Sequence, residues 1–314
     1  MAGGQERILR RRIKSVQSTK KITKAMELIA ASRIVKAQQR VAAARPYSEQ
    51  ITEVIRNLAA GSSGTDHPLL QPRDEIRTVA YVAVSADRGL CGSYNSAVIR
   101  ATERAMAADQ QQGRATRLYT VGKKATNYFR FRGEQIHASF LGVTDQPQYE
   151  QAREIAQVVA TAFDGGEVDS VEVAYTQFLS AGSQRVVVRR LMPLDTSALT
   201  EAPGGASASY EFEPSPDLIL DELLPRYAEA RLFAALLDAS ASEHAFRQRA
   251  MKAASDNADE LVKTLSRVMN RARQDAITTE IMEIVGGAEA LRQAASGDEE
   301  DLLIDQTFAV PVFP

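Results

Sequence analysis

The chain has 314 residues, a formal net charge of −2, 44% hydrophobic residues and a single cysteine. This composition is ordinary for a folded globular protein, and one cysteine excludes an intramolecular disulfide. The sequence has no CxxC pair, its three histidines are far apart, and no run of about 18 apolar residues exists, so neither a metal site nor a membrane span is expected.

The first 60 residues predict one long helix. Their content of Ala, Arg, Lys and Gln favours helix, and Pro46 is expected to kink the helix because helical spacing resumes at Ile51. Residues 1–40 carry 11 basic and two acidic groups. Such a basic end indicates a solvated helix face or an acidic partner: nucleic acid, anionic lipid or a protein surface. An apolar signal-peptide core is absent, and a transit peptide is the less favoured alternative.

The middle of the chain alternates between two patterns, which predict an α/β layer with a parallel or mixed sheet. The β-branched, strand-like runs are 77–85, 116–121, 168–178 and 184–194, and the helical patterns are 95–112, 123–132 and 147–163. The segment Leu179–Ser183 between the last two strands is hairpin-like.

A second long helix is predicted to begin at Ser215, an N-cap residue followed by proline, and to end at about Val285 or Leu291. Its residues repeat at alternating steps of four and three, which is typical of a coiled-coil seam. The seam residues are Ala254, Ala258, Leu261, Leu265, Val268, Ala272 and Asp275, and then Ile277, Ile281, Ile284, Ala288 and Leu291. The first helix has a matching stripe at Ala30, Ile34, Ala37, Val41 and Ala44. We therefore expect the two helices to pair antiparallel, with the polar segment 242–260 either solvated or enclosed by a sleeve of other proteins.

The segment Ser85–Asn95 follows a strand and precedes a helix, where a phosphate-binding loop would lie. Its glycines do not form GxGxxG, and no GxxxxGK[ST] occurs, so a tight turn is the simpler interpretation. Cys91 within it is a candidate nucleophile, with Asp87 or His137 as helpers, although no known signature joins these residues.

Several motifs resemble, in order along about residues 2–291, the gamma subunits of F-type ATP synthases. They are KKITKAMELIAASR (20–33), RPYSE (45–49), SADRGLCGSYN (85–95), LMPLD (191–195), AMKAASDNADELVKTL (250–265) and RARQDAITTEIMEIVGGAEAL (271–291). The resemblance implies α/β plus coiled-coil architecture: long terminal helices form an antiparallel shaft beside a central Rossmann-like α/β domain. It implies six parts: shaft helix 1–60, linker 61–75, α/β foot 76–195, c-ring-proximal loop 196–214, shaft helix 215–292 and tail 293–314.

The same resemblance implies a non-catalytic rotor without cofactor or bound nucleic acid. Its partners would be three alpha and three beta subunits, an epsilon subunit and a c-ring, through which alone it would contact the membrane. The expected location is the cytoplasmic face of a bacterial plasma membrane, with an organellar inner membrane as the second choice.

Individual roles are carried over onto matching positions. The implied beta-subunit contacts are Met26, Arg247, Gln274 and Thr278, with Arg249 as a close competitor of Arg247. The implied contacts on the c-ring and epsilon side are Tyr210, Phe212 and Glu213. The implied motif turn consists of Asp87, Arg88, Gly89, Cys91 and Gly92.

Two features depart from the family pattern. Asp275 stands where a small residue is usual, and is expected to be solvated or paired with Arg271. Residues 293–314 extend past the usual end and contain five acids and no base. A disordered tail is the simpler expectation, and a latch that restrains rotation is the alternative. The competing functions are a coiled-coil scaffold without rotation and a nucleotide-dependent α/β enzyme that uses the 85–95 turn.

Overall fold

The computed structural model describes residues 2–61, 67–71, 73, 75–194 and 215–305. They divide into two compact units: the described parts of 1–23 and 254–314 form one, and residues 24–253 form the other. In the part of the chain described, no helix has a stretch both long and apolar enough to cross a membrane.

Helix α1 runs without a break over Ala2–Gly61, with Pro46 inside it. The predicted stripe from Ala30 to Ala44 is confirmed, and the side chains that α1 shelters from solvent recur every three or four residues well beyond it. The sheltered series is Glu6, Leu9, Ile13, Val16, Lys20, Thr23, Glu27, Ala30, Ile34, Ala37, Val41, Ala44, Ser48, Ile51, Ile55 and Leu58. Such a regular repeat is the signature of a helix that packs along one narrow line.

The central region alternates strands and helices as predicted. Its elements are β1 (Thr78–Val84), α2 (Tyr94–Gln111), β2 (Ala115–Val121), α3 (Lys123–Phe131), β3 (Ile136–Phe140), α4 (Tyr149–Asp164), β4 (Ser170–Phe178) and β5 (Gln184–Met192). The strand order is β3-β2-β1-β4-β5, in which only β5 is antiparallel to its neighbour. The hairpin between β4 and β5 is confirmed, whereas β3 was not predicted.

The sheet carries hydrophobic side chains on both faces, so its strands are buried between helical layers. From β1, Val82 and Val84 point into a large core with α4, the end of α1 and the start of the last helix. Val79 and Tyr81 point to the other face, where they pack with α2 and α3. Because Ile55 and Leu224 belong to the large core, both long helices contribute to the unit that contains the sheet.

The last helix, α5, spans Pro216–Asp305 and therefore passes the predicted end at 292. The expectation of a disordered tail is wrong for residues 293–305, which continue the helix, while residues 306–314 lie outside the described part of the chain.

The coiled-coil seam of α5 is rotated by one residue from the predicted one at every second position. The sheltered positions are Ser255, Ala258, Val262, Leu265, Met269, Ala272 and Ala276. Leu261 and Val268 from the predicted seam are 40% and 45% exposed. The observed seam has Ser255, Val262, Met269 and Ala276 where the prediction had Ala254, Leu261, Val268 and Asp275. Among these four inward residues, Ser255 is the polar one.

Candidate interaction surfaces

The 85–95 turn leads from β1 into α2, and Asp87 ties it to two other loops. Its Oδ1 accepts hydrogen bonds from the backbone N–H groups of Lys123 and Gly142, each at 3.1 Å. Its Oδ2 accepts from the N–H and the hydroxyl of Thr144, at 3.3 and 3.0 Å. Lys123 is the first residue of α3, so Asp87 holds the start of that helix and the loop after β3 against the turn. This geometry favours a structural turn over a nucleotide site.

Cys91 lacks the environment of an activated nucleophile. The thiol is buried, and its sulfur accepts a hydrogen bond from Asn95 Nδ2 at 3.0 Å. Burial raises the pKa of Cys91, and the nearby Glu243 carboxylate raises it further. Because the thiolate is the reactive form, a raised pKa makes the sulfur less reactive at neutral pH.

The turn is fastened to α5 by a hydrogen bond from Arg247, which also forms a buried ion pair within that helix. Arg247 Nη2 lies 2.5 Å from Glu243 Oε1 and donates to the carbonyl oxygen of Gly89 at 3.3 Å. Glu243 is 1% exposed and Arg247 is 8% exposed. The expectation that the whole 242–260 segment is solvated or held by other proteins is therefore wrong at its start, because residues 242–245 are buried within this chain. Residues 242–245 contain no large apolar side chain, so no hydrophobic pattern predicts that burial.

Burial shifts the two titratable groups of this cluster in opposite directions. It raises the pKa of Glu243 to about 7, against the lowering effect of the Arg247 guanidinium. It lowers the pKa of His244 to about 4, with Arg247 as the second cause. The carboxylates of Asp145 and Asp87 add smaller raising effects on Glu243. The carboxyl oxygen Oε2 of Glu243 and the hydroxyl of Tyr94 have no hydrogen-bond partner among the described residues.

These shifts predict opposite pH dependences of stability in two variants. A raised carboxyl pKa contributes stability at low pH that is lost as pH rises from about 4.5 to about 7. A lowered histidine pKa contributes stability above about 6.5 that is lost as pH falls toward about 4. In the native chain the two trends offset each other.

Relative to wild type, we expect the free energy of unfolding of the Glu243→Gln variant to rise with pH between about 4.5 and about 7, and that of His244→Gln to fall as pH rises between about 4 and about 6.5. Denaturant titrations of the full-length chain at several pH values measure both slopes. Parallel slopes in the two variants would contradict the assignment.

The unit that holds both chain ends contains a polar layer between α1 and α5. Lys20 Nζ lies 2.5 Å from Asp259 Oδ1, and the hydroxyls of Thr23 and Ser255 are 2.7 Å apart. Thr23 and Ser255 are both buried, so their hydroxyl groups can pair only when the two helices are aligned in this one register. The sequence analysis missed this layer because it looked for apolar repeats.

The residues expected to contact a beta subunit lie in different environments. Met26 is half-buried on α1, whereas Gln274 and Thr278 are exposed on α5. Arg247 is the buried arginine of the ion pair above, and its competitor Arg249 is exposed.

Arg249 makes its own contacts on the surface. Its guanidinium lies 4.7 Å from the centre of the Phe246 ring and donates to the carbonyl oxygen of Ala181 at 3.0 Å. Asp275 is exposed, which fits its place outside the observed seam, and no ion pair joins it to Arg271 in the described residues. The predicted c-ring residues Tyr210, Phe212 and Glu213 lie outside the described residues.

The described end of α5 exposes large apolar side chains along its length. They are Ile277, Ile281, Met282, Ile284, Val285 and Leu291, with exposures between 49% and 75%. A run of exposed apolar side chains of this size marks an interaction surface. The interacting surface must come from outside the described part of the chain.

Comparison with known proteins gives consistent matches along the chain. A family model described as ATP synthase matches residues 5–291. An ATP synthase gamma chain of Frankia casuarinae is 52% identical over 293 residues, which cover 92% of this chain and 98% of that protein. The ATP synthase gamma chain of Mycolicibacterium smegmatis is 48% identical, over 91% of this chain and 97% of its own length.

Solved structures give the same picture for the fold. A chain of the central stalk and c-ring of the Tetrahymena thermophila mitochondrial ATP synthase is 26% identical, with a TM-score of 0.56 over 74% of this chain and 99% of that chain. A chain of the Euglena gracilis mitochondrial ATP synthase is 16% identical, with a TM-score of 0.63 over 93% of this chain and 96% of that chain. The second likeness concerns the fold alone.

Proposed function

The chain belongs to the ATP synthase gamma family, which makes it a central-stalk rotor subunit, and we propose that it couples proton flow to ATP synthesis and hydrolysis without bond chemistry of its own. The observation that carries this proposal is the matched length of the relatives. At 52% identity the alignment covers 92% of this chain, which leaves little sequence for a separate catalytic domain.

The proposed partners of the shaft are three alpha and three beta subunits that surround the end of α5. The exposed apolar residues from Ile277 to Leu291 support this proposal, because an isolated helix would not keep them in water without a partner. The exposed side chains of Gln274 and Thr278 are proposed to form hydrogen bonds with a beta subunit. Met26 on α1 is proposed to contact a beta subunit as well.

The proposed mechanism is a shift of conformational populations. A rotor with unlike faces offers each beta subunit a different set of contacts in turn, and differential contact energy is what moves a protein between states. One elementary charge crossing 100 mV releases about 2.3 kcal/mol, so several proton transfers must contribute to one ATP. The paired helices would hold that energy briefly as elastic twist.

The proposed foot contacts lie on the membrane side. Residues 76–195 would stand on the c-ring beside an epsilon subunit, and Tyr210, Phe212 and Glu213 in the 196–214 loop would touch the ring. The linker 61–75 and the two shaft helices, the second of which continues to Asp305, complete the proposed division. The proposed location is the cytoplasmic face of a bacterial plasma membrane, with membrane contact only through the ring.

The first test of the rotor proposal is co-purification. A tagged chain, isolated from detergent-solubilised membranes, should bring alpha and beta subunits with it at one to three to three. Steady ATP hydrolysis by the complex should require the chain. Recovery of the chain alone would favour the coiled-coil scaffold instead.

A double substitution tests the beta contact within that complex. We expect Gln274→Ala with Thr278→Ala to lower the ATP hydrolysis rate about tenfold, because two hydrogen bonds of about 0.5–1.5 kcal/mol each would be lost. Gln111→Ala, which removes an exposed glutamine on α2, is the control and should leave the rate unchanged. An unaltered rate in the double variant, with normal assembly, would remove these residues from the proposed contact.

A further inference from the structure

Strand β5 lies at an edge of the sheet, with β4 as its only neighbour among the described strands. It is nine residues long, and most of its middle, from Arg185 to Arg190, is exposed or half-buried. On the side away from β4, its main-chain N–H and C=O groups meet no other strand of the described residues. Such an edge is a template for another strand.

The exposed edge is strongly basic. Arg185 and Arg189 both donate to Gln177 Oε1, at 3.2 and 3.1 Å, so their guanidinium groups are held on one face of the hairpin. Arg190 points to the other face, where it lies 3.5 Å from Glu172. The strand itself contains no acidic residue. Its two faces therefore present positive charge beside the unpaired edge.

A cavity of about 200 Å³ opens beside the same strand. Arg189 lines it from β5 and Arg231 lines it from α5, while Asp238 is its one acidic lining residue. Two guanidinium groups against one carboxyl group leave the cavity positive. Its volume suits one side chain, and a carboxylate is the group that arginine binds best.

The opposite edge of the sheet provides an internal comparison. Strand β3 is five residues long and carries no arginine or lysine. Short edge strands are one of the ways in which proteins prevent unwanted pairing. A long edge with three arginines is therefore particular to β5 and is not a general property of this sheet.

We propose that the β5 edge binds an extended, acidic segment of another subunit as an added strand, with one carboxylate of that segment in the cavity. In this binding mode the main-chain hydrogen bonds supply affinity, and the side-chain pocket supplies selectivity. The arginines select acidic strands and repel a second copy of the same basic edge. The proposal rests on the assembly described under the proposed function.

Hydrogen–deuterium exchange in the assembled complex tests the added strand directly. Compared with the isolated full-length chain, amides of Gln184–Met192 should exchange about tenfold more slowly in the complex, because new ladder bonds protect them. Binding through side chains alone would leave these amides unprotected. Unchanged exchange in a complex that contains alpha and beta subunits would overturn the inference and leave the proposed rotor function intact.

Charge reversal and cross-linking identify the occupant. Arg185→Glu with Arg189→Glu should abolish the protection, whereas Arg130→Glu, at an exposed site on α3, should preserve it. A photoreactive residue in place of Val188 should cross-link to an acidic stretch of another subunit. Protection that survives charge reversal, a cross-link to a stretch without acids, or a cross-link to a second copy of this chain would each contradict the proposal. Failure to recover alpha and beta subunits at all would instead remove the rotor function and this inference together.

Discussion

Replacing Arg247 by alanine should lower the free energy of unfolding by about 3–5 kcal/mol, which is the usual cost of leaving one member of a buried ion pair alone. Glu243, at 1% exposure, would lose its cation, and the Gly89 carbonyl would lose its donor. The loss should be smaller at pH 5 than at pH 8, because a carboxyl with a pKa already raised to about 7 is protonated at the lower pH. Denaturant titration of the full-length chain at both pH values measures the effect.

Arg249→Ala is the matched control for that experiment. Its side chain is exposed, and its contact with the Phe246 ring at 4.7 Å should contribute no more than about 1 kcal/mol. Adding Glu243→Gln to the Arg247→Ala variant should recover part of the loss, because the uncompensated charge disappears. Equal losses for Arg247 and Arg249 would contradict the anchoring role. Full stability of Arg247→Ala with impaired hydrolysis would instead favour the proposed beta contact.

Gly122→Ala should be the most damaging substitution among the glycines that the structure describes, with a loss of about 2–5 kcal/mol from backbone strain and collision together. Gly122 links β2 to α3 with φ of +89°, and a Cβ there would lie 2.1 Å from the carbonyl oxygen of Ser85. Since Ser85 begins the 85–95 turn, either the turn or the start of α3 must move. Thermal unfolding of the complex and of the full-length chain should both report the loss.

Gly133→Ala separates the two causes. Gly133 has φ of +78°, but a Cβ there would meet nothing within 4 Å. Gly133→Ala should therefore lower the free energy of unfolding only by the cost of placing alanine at a positive φ, which is about 1–2 kcal/mol. If both variants lost the same stability, the close approach to Ser85 would not matter.

The alternation of strands and helices could be predicted from the sequence because β1, β2, β4 and β5 are rich in β-branched residues. Strand β3 was not predicted because it is only five residues long and exposes alternate side chains, including His137, so its sequence resembles that of a loop. The narrow stripe of α1 was also predictable, since Ala30, Ile34 and Ala37 keep the alternating step of four and three residues.

The inward face of α5 could not be predicted in the same way. The apolar pattern favoured Ala254, but the buried face contains Ser255, whose hydroxyl pairs with that of Thr23. A polar side chain such as that of Ser255 is buried only where a hydrogen-bond partner is available. Its partner, Thr23, lies 232 positions away in the chain, so the local sequence does not reveal it. The Glu243–Arg247 pair was missed for a related reason, because two charges one helical turn apart look like a solvated surface.

The sheltered line along α1 has a consequence for how the helix responds to torque. It repeats every 3.5 residues on average from Glu6 to Leu58, whereas a straight helix turns once in 3.6, so the line drifts by about 20° per heptad. Over this length the drift amounts to roughly 150° in the left-handed sense. Two helices wound around each other in one sense are tightened by torque in that sense and loosened by torque in the opposite sense. Synthesis and hydrolysis turn a rotor in opposite directions, so this helix should be torsionally stiffer under one of them.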